Sequence, residues 1–275
     1  MNMKKSCLSS GYVLMCLGSG MTAIASESDR IAPTTLRFLP NAVASADGVV
    51  LSGETLILDY DPIRLSQCRG KNSRGVEEWT IQAFLSIDGK APVALDMIEG
   101  QGTLFPSAAA RQVTIPDGQR LDIWFKASDV TGCVQWDSNH SQNYTFPIYR
   151  LDHVPVLSFH DNWTTEQQGE LRAGYPVRLH FDLARTPQCR TGGYHGSASW
   201  DVSAQIRVDN TPWPAPKFTY AASWSMRGQQ DVVVLLPQGQ ELTLWFENSG
   251  YEYYAGQSCV AYDSNYGRNY RFKLN

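Results

Sequence analysis

The 275-residue sequence predicts an all-β protein: two antiparallel β-sandwiches in tandem, residues 26–150 and 151–275, with one disulfide in each. Three observations carry this prediction. A nine-residue pattern occurs twice, as Trp136-Asp137-Ser138-Asn139-His140-Ser141-Gln142-Asn143-Tyr144 and as Tyr262-Asp263-Ser264-Asn265-Tyr266-Gly267-Arg268-Asn269-Tyr270, which is the mark of an internal duplication. Apolar residues recur with a period of two, and no stretch of helical length has a convincing 3.6-residue period. Four cysteines, Cys68, Cys133, Cys189 and Cys259, fall one early and one late in each copy.

The chain opens with Lys4 and Lys5, then a short apolar run over residues 11–22, then Ala23-Ile24-Ala25. Charge, apolar core and small-residue cleavage site in that order are those of a signal peptide, so residues 1–25 are expected to be removed and the protein to be secreted or periplasmic. Cys7 and Cys16 leave with that segment. The apolar run is too short to span a bilayer and no later one is longer, so no transmembrane segment is expected.

The two copies align in detail. A shift of 121 positions carries Gly53 to Gly174, Asp61 to Asp182, Cys68 to Cys189, Trp79 to Trp200 and Asp88 to Asp209. It also carries Gly118 to Gly239, Trp124 to Trp245 and Phe125 to Phe246. The late cysteines, Cys133 and Cys259, are 126 apart, so the second copy holds five extra residues, in the aromatic segment Gly250-Tyr251-Glu252-Tyr253-Tyr254-Ala255-Gly256. An even number of cysteines in an exported chain implies disulfides. The duplication selects the pairing Cys68–Cys133 and Cys189–Cys259, each closing a long loop and contributing about 4 kcal/mol in the chain-entropy view.

Strands follow from the alternation. Leu56, Leu58 and Tyr60 share one face, as do Ile81, Ala83, Leu85 and Ile87; in the second copy Val177-Arg178-Leu179-His180-Phe181 and Val202-Ser203-Ala204-Gln205-Ile206-Arg207-Val208 alternate in the same way. Asp88-Gly89, Pro116-Asp117-Gly118 and Pro237-Gln238-Gly239 punctuate them as turns. Short strands at regular spacing in units of this size read as β-sandwiches. Trp79 and Trp200 share the inward phase, each 11 positions after the early cysteine. An immunoglobulin-like sandwich similarly packs a core tryptophan against its inter-sheet disulfide.

Composition narrows the function. The net charge is −4, with 18% charged and 43% hydrophobic residues, so a packed core is expected and no basic stripe exists to neutralise nucleic-acid phosphates. No Gly-x-Ser-x-Gly or His-Glu-x-x-His motif is present, and none of the five histidines recurs at a matching place in the other copy. The carboxylates that do recur, Asp61/Asp182, Asp88/Asp209 and Asp137/Asp263, form no evident acid–base pair. The expectation is therefore a non-enzymatic protein with no cofactor and no metal.

The residues that suggest binding are aromatic and amide side chains. In Leu121-Asp122-Ile123-Trp124-Phe125-Lys126 the apolar phase is Leu121, Ile123 and Phe125, which places Trp124 on the polar face; Trp245 occupies the same phase in the second copy. A ring exposed among polar groups is suited to stacking on sugar C–H faces. The candidate ligand-binding set is Trp124, Trp136, Asn139, Asn143, Trp245, Tyr253, Tyr262, Asn265 and Asn269, and the expected partner is a carbohydrate or an extracellular protein. The repeated Asp-Ser-Asn motif has a competing structural reading, because these side chains bond to nearby backbone and shape turns. Calcium binding through Asp and Asn oxygens is a third.

The motif Trp136-Asp137-Ser138-Asn139-x-x-x-Asn143-Tyr144 resembles the W-D-N-N-x-x-x-N-Y signature of starch- and glycogen-binding modules. The resemblance implies an immunoglobulin-like sandwich without catalytic activity and a glucan site near the motif. Ser138 and Ser264 stand where that signature has its first Asn, and Tyr262 replaces the Trp in the second copy. The wider pattern, Trp-Phe, then Cys, then aromatic-Asp-Ser-Asn-x-x-x-Asn-Tyr-x-Phe, resembles a family of exported bacterial domains of uncharacterised function. That likeness implies the fold and export, and no activity.

Overall fold

The computed structural model describes residues 30–40, 43–100 and 107–275. The expected signal peptide, residues 1–25, lies outside the described residues. Among the described residues the fold is all-β, and the helical pieces are short 3-10 turns. No described helix is long and apolar enough to cross a membrane.

Residues 34–149 form two main sheets. One has the strand order Ser45–Ala46, Thr34–Phe38, Thr55–Tyr60, Arg111–Thr114. The other runs Val50–Leu51, Tyr144–Tyr149, Arg120–Asp129, Trp79–Ile87, Val93–Asp96, with Val134–Asp137 also paired to Arg120–Asp129. Residues 156–273 repeat the plan: Thr165–Gln168, Val156–Phe159, Pro176–Phe181 and Val232–Leu235 in one sheet, then Thr211–Trp213, Trp200–Val208, Glu241–Glu252 and Gln257–Asp263 in the other, with Tyr270–Lys273 also on Glu241–Glu252.

The expectation of purely antiparallel strands is corrected in three pairs. Thr34–Phe38 runs parallel to Thr55–Tyr60, Val156–Phe159 parallel to Pro176–Phe181, and Val50–Leu51 parallel to Tyr144–Tyr149. The cause is the excursion between each first pair. The chain leaves Phe38, pairs back antiparallel as Ser45–Ala46, and returns in its original direction at Thr55. Alternation within a strand reports which face is buried and is blind to the direction of its neighbour.

Alternation does place the core. Leu36, Phe38, Leu56, Leu58 and Tyr60 from one sheet meet Ile81, Ala83, Leu121, Ile123 and Phe125 from the other, all buried. The second core repeats it with Leu157, Phe159, Leu179, Phe181, Val202, Ala204, Leu242, Leu244 and Phe246. The aromatic centre is copied almost atom for atom. Phe38 meets Phe125 edge-on at 4.7 Å and Phe159 meets Phe246 at 4.6 Å; Tyr60 stacks on Phe125 at 4.0 Å and Phe181 on Phe246 at 4.1 Å; Phe38 meets Tyr144 at 5.0 Å and Phe159 meets Tyr270 at 4.9 Å. Trp79 is buried in the first core and Trp200 packs, partly buried, against the second. The arginine that follows each early cysteine, Arg69 or Arg190, lies over the ring at 3.7 and 5.1 Å. The disulfides are Cys68–Cys133 and Cys189–Cys259.

The two halves are joined by more than the connecting peptide. Ile31 forms a parallel bridge with Asp231, in which the Asp231 N–H donates to Arg30 O and the Ala32 N–H donates to Asp231 O, both at 2.8 Å. Ile31, Val49, Leu51, Val154 and Val233 form a third small core between the halves. The Asp231 carboxylate, almost fully buried, accepts from Arg178 Nε at 2.6 Å and lies 2.7 Å from His180 Nδ1.

Candidate functional site

The duplicated motif is built around a carboxylate and an arginine. In the first half Asp137 accepts from Arg64 Nε at 2.7 Å, from the Tyr144 hydroxyl at 2.5 Å and from the Tyr60 hydroxyl at 3.0 Å. In the second half Asp263 accepts from Arg185 Nε and the Tyr270 hydroxyl, both at 2.7 Å. Each arginine also donates to the motif tyrosine at 2.5 Å. Arg185 further donates to His160 O and Thr164 O at 3.1 Å. Arg64 and Arg185 are related by the same 121-residue shift, within Asp61-Pro62-Ile63-Arg64 and Asp182-Leu183-Ala184-Arg185. That shift is the sequence signal of the two arginines, which lie 73 and 78 residues from their aspartates and so outside any local motif. Asp61 and Asp182 cap the intervening 3-10 turns, accepting from the Ile63 and Ala184 N–H groups at 2.9 and 2.8 Å.

These contacts set the electrostatics. Burial works against the charge on Asp137, but the hydrogen bonds from Arg64, Tyr144 and Tyr60 outweigh it and hold its carboxyl below the usual range. Burial and the adjacent Asp137 carboxylate push the Tyr144 hydroxyl up to about 12, and raise Tyr60 further. Burial and the Asp263 hydrogen bond likewise raise Tyr270. A cation at either motif would have to displace an arginine from its carboxylate.

The motif asparagines shape the following turn. Asn139, His140 and Ser141 all have positive φ, as do Asn265, Tyr266 and Gly267, and Asn143 and Asn269 as well. Asparagine and glycine tolerate that left-handed backbone better than other residues. Asn139 Nδ2 donates to Asn143 O at 3.1 Å and Asn265 Nδ2 to Asn269 O at 3.3 Å. The third repeated carboxylate pair also holds a turn. Asp88 Oδ1 accepts from the Gln119 and Arg120 N–H groups, and Asp209 from those of Gln240 and Glu241.

The aromatic residues gather in two kinds of place. On the outer face of the larger first-half sheet Trp124 is directly opposite Phe84, and the rings stack at 5.7 Å with only 8° between their planes. Trp136, opposite Lys126, leans across the strand Arg120–Asp129 to within 6.1 Å of Phe84 and stays 54% exposed. Lys126 Nζ lies 5.6 Å over the Trp136 ring. Polar groups flank the rings: Gln82 donates to Asp96 at 3.1 Å, and Thr145 donates to Asp122 at 2.8 Å. Phe84, whose counterpart at the 121-residue shift is Gln205, was not among the candidates. Its place beside Trp124 needs the pairing of two strands about 40 residues apart. The second half keeps the frame with different chemistry: Trp245 is opposite Gln205 and lies 5.1 Å under Arg207, while the exposed Tyr262 is opposite Glu247.

Tyr253 is elsewhere, at the end of the hairpin Glu241–Glu252 and Gln257–Asp263. Its ring lies 5.0 Å from that of Tyr194 and 5.5 Å from that of Tyr254. The candidate residues therefore divide among two outer sheet faces (Trp124 with Trp136, Trp245 with Tyr262), two motif turns and one loop end.

Residues 31–275 match the model of DUF6209, a family of unknown function, and the chain belongs to that family. Comparison with curated proteins finds no match, and comparison with solved structures finds none.

Proposed function

We propose that this is an exported, non-catalytic protein of two immunoglobulin-like β-sandwiches, residues 26–150 and 151–275, that binds an extracellular or envelope carbohydrate through its outer sheet faces. The observation that carries the reading is the ring group Phe84, Trp124 and Trp136, held on a rigid sheet and flanked by Gln82, Asp96, Asp122, Lys126 and Thr145. Rings offer C–H stacking surface, and the paired polar side chains around them suit hydroxyls. Trp245, Arg207 and Tyr262 are the weaker second contact face. The motif asparagines act one step back, by shaping the turn that follows Trp136 or Tyr262. Two faces on one chain would gain avidity on a repetitive polymer.

The test is a binding isotherm of the oxidised chain on soluble and insoluble polysaccharides, beside Trp124→Ala/Trp136→Ala and Trp245→Ala/Tyr262→Ala. Saturable binding is expected, with the first double variant losing more than about ten-fold in affinity while circular dichroism stays unchanged. No binding to any polysaccharide refutes the reading.

A role as a protein-interaction or structural envelope module is the competing proposal. The exposed rings of Tyr194, Trp224, Tyr253 and Tyr254 favour it.

A further inference from the structure

We infer that the second half holds one divalent transition-metal ion through His160, Glu166 and His180, on the outer face of its sheet Thr165–Gln168, Val156–Phe159, Pro176–Phe181 and Val232–Leu235. Strand register brings these residues together. Leu157, Phe159, Leu179 and Phe181 face the core, so the alternate residues Ser158, Arg178 and His180 face outward. Ser158 lies directly opposite Glu166 on one neighbouring strand and His180 on the other. His160 follows two positions after Ser158, in the same phase. The serine side chain is short, and the three longer ones surround the place above it. His160 Nε2 is 3.5 Å from Glu166 Oε2, and the His160 and His180 ring centroids are 6.2 Å apart.

Each residue is held in a way that suits a ligand. His180 Nδ1 is 2.7 Å from Asp231 Oδ1, and the almost fully buried Asp231 is fixed by Arg178 Nε at 2.6 Å on its other oxygen. A metal-binding imidazole commonly gives its second nitrogen to a carboxylate, which fixes tautomer and ring and leaves Nε2 with the free lone pair. The same carboxylate balances the charge of Arg178. His160 is anchored by its backbone: its N–H donates to Thr164 O and its O accepts from Arg185 Nη1, both at 3.1 Å. Glu166 Oε1 accepts from Gln168 Nε2 at 3.0 Å, with Oε2 on the His160 side. On a tetrahedral ion with metal–nitrogen bonds of about 2 Å, two imidazole centroids stand about 5 Å apart. The rings must therefore approach by about 1 Å, and the His160 and Glu166 side chains, 38% and 54% exposed, have room to do so.

The first half shows a cation at the equivalent place. At the 121-residue shift Ser158 corresponds to Arg37, and Glu166, His180 and His160 correspond to Ser45, Asp59 and Leu39. The pairing is the same, since Arg37 lies opposite both Ser45 and Asp59. There the Arg37 guanidinium supplies the positive charge, 4.0 Å from Asp59 and 3.1 Å from Asp47. In the second half a serine stands in place of the arginine, and the groups around it are a carboxylate and two imidazoles. Both halves form this sheet, so its pairing does not require the histidines. Two imidazoles and one carboxylate suit zinc and its first-row neighbours, whereas calcium and magnesium prefer oxygen ligands. Three protein ligands leave a fourth position for water or a ligand group.

This inference does not depend on the sheet-face reading, whose residues it does not use. The test is calorimetric titration of Zn²⁺ into the oxidised, untagged chain at about pH 8, where an ordinary imidazole is neutral. The visible spectrum of added Co²⁺ is the second readout. One ion per chain is expected. His160→Ala and Glu166→Gln alter exposed side chains, and each should weaken binding by at least about ten-fold, the least that loss of even an outer partner costs. His140→Asn, in the first half, should leave binding unchanged. No saturable binding of either ion up to about 1 mM overturns the inference. So does binding that the folded His160→Ala and Glu166→Gln variants retain at wild-type strength, or that Ca²⁺ competes for as well as Zn²⁺.

Discussion

Replacing Arg185 by methionine should destabilise the second half far more than the same change at Arg64 destabilises the first. The two arginines do the same work in different surroundings. Arg185 and Asp263 are each 1% exposed at the side chain, whereas Arg64 and Asp137 are 14% and 13% exposed. Arg185→Met strands a buried carboxylate and removes the donors to His160 O and Thr164 O. Asp263 then keeps the Tyr270 hydroxyl and a long, 3.5 Å bond from the Asn265 N–H, because Phe181 stands where the first half has Tyr60. Asp137 would keep both Tyr60 and Tyr144 and could draw water. Breaking one side of a buried pair costs about 3–5 kcal/mol, while a partly exposed pair that keeps two hydroxyl donors should lose about 1–2 kcal/mol. Urea unfolding followed by circular dichroism and tryptophan fluorescence gives both values. Equal losses, or a larger loss at Arg64, would refute the argument that burial and the Tyr60/Phe181 difference set the cost.

Three further outcomes are expected. Asp137 is held below its usual value, so its contribution is fully present above the unfolded carboxyl value of about 3.9 and is lost as pH falls through the folded-state value; the stability gap between wild type and Asp137→Asn should close over that interval, and a gap that persists into strong acid contradicts it. The hydrogen bond to Asp231 raises the His180 value above its usual level, so its contribution is present below about 6.5 and is lost as pH rises through the folded-state value; a thermal melt of His180→Gln should converge on wild type above that point. Removing either disulfide as a double serine variant should cost about 4 kcal/mol, given loops of 65 and 70 residues, and a loss under about 1 kcal/mol in denaturant would show that the unfolded chain is already constrained.

What the sequence determined by itself is everything that repeats or alternates. The duplication pairs Cys68 with Cys133 and Cys189 with Cys259, because a duplicated unit must close on itself. Two-residue alternation placed Leu121, Ile123 and Phe125 in the core and left Trp124 on the outer face, since successive side chains of a strand point to opposite sides. Tertiary structure alone decided what lies opposite what. The parallel pairing of Thr34–Phe38 with Thr55–Tyr60, the stack of Phe84 on Trp124, the arginine behind each motif aspartate and the bridge from Ile31 to Asp231 all join residues that are distant in the chain. Local patterning specifies a side chain's face. Its partner is chosen by the packing of whole sheets, where a buried carboxylate such as Asp263 is tolerated only because Arg185, 78 positions away, arrives beside it.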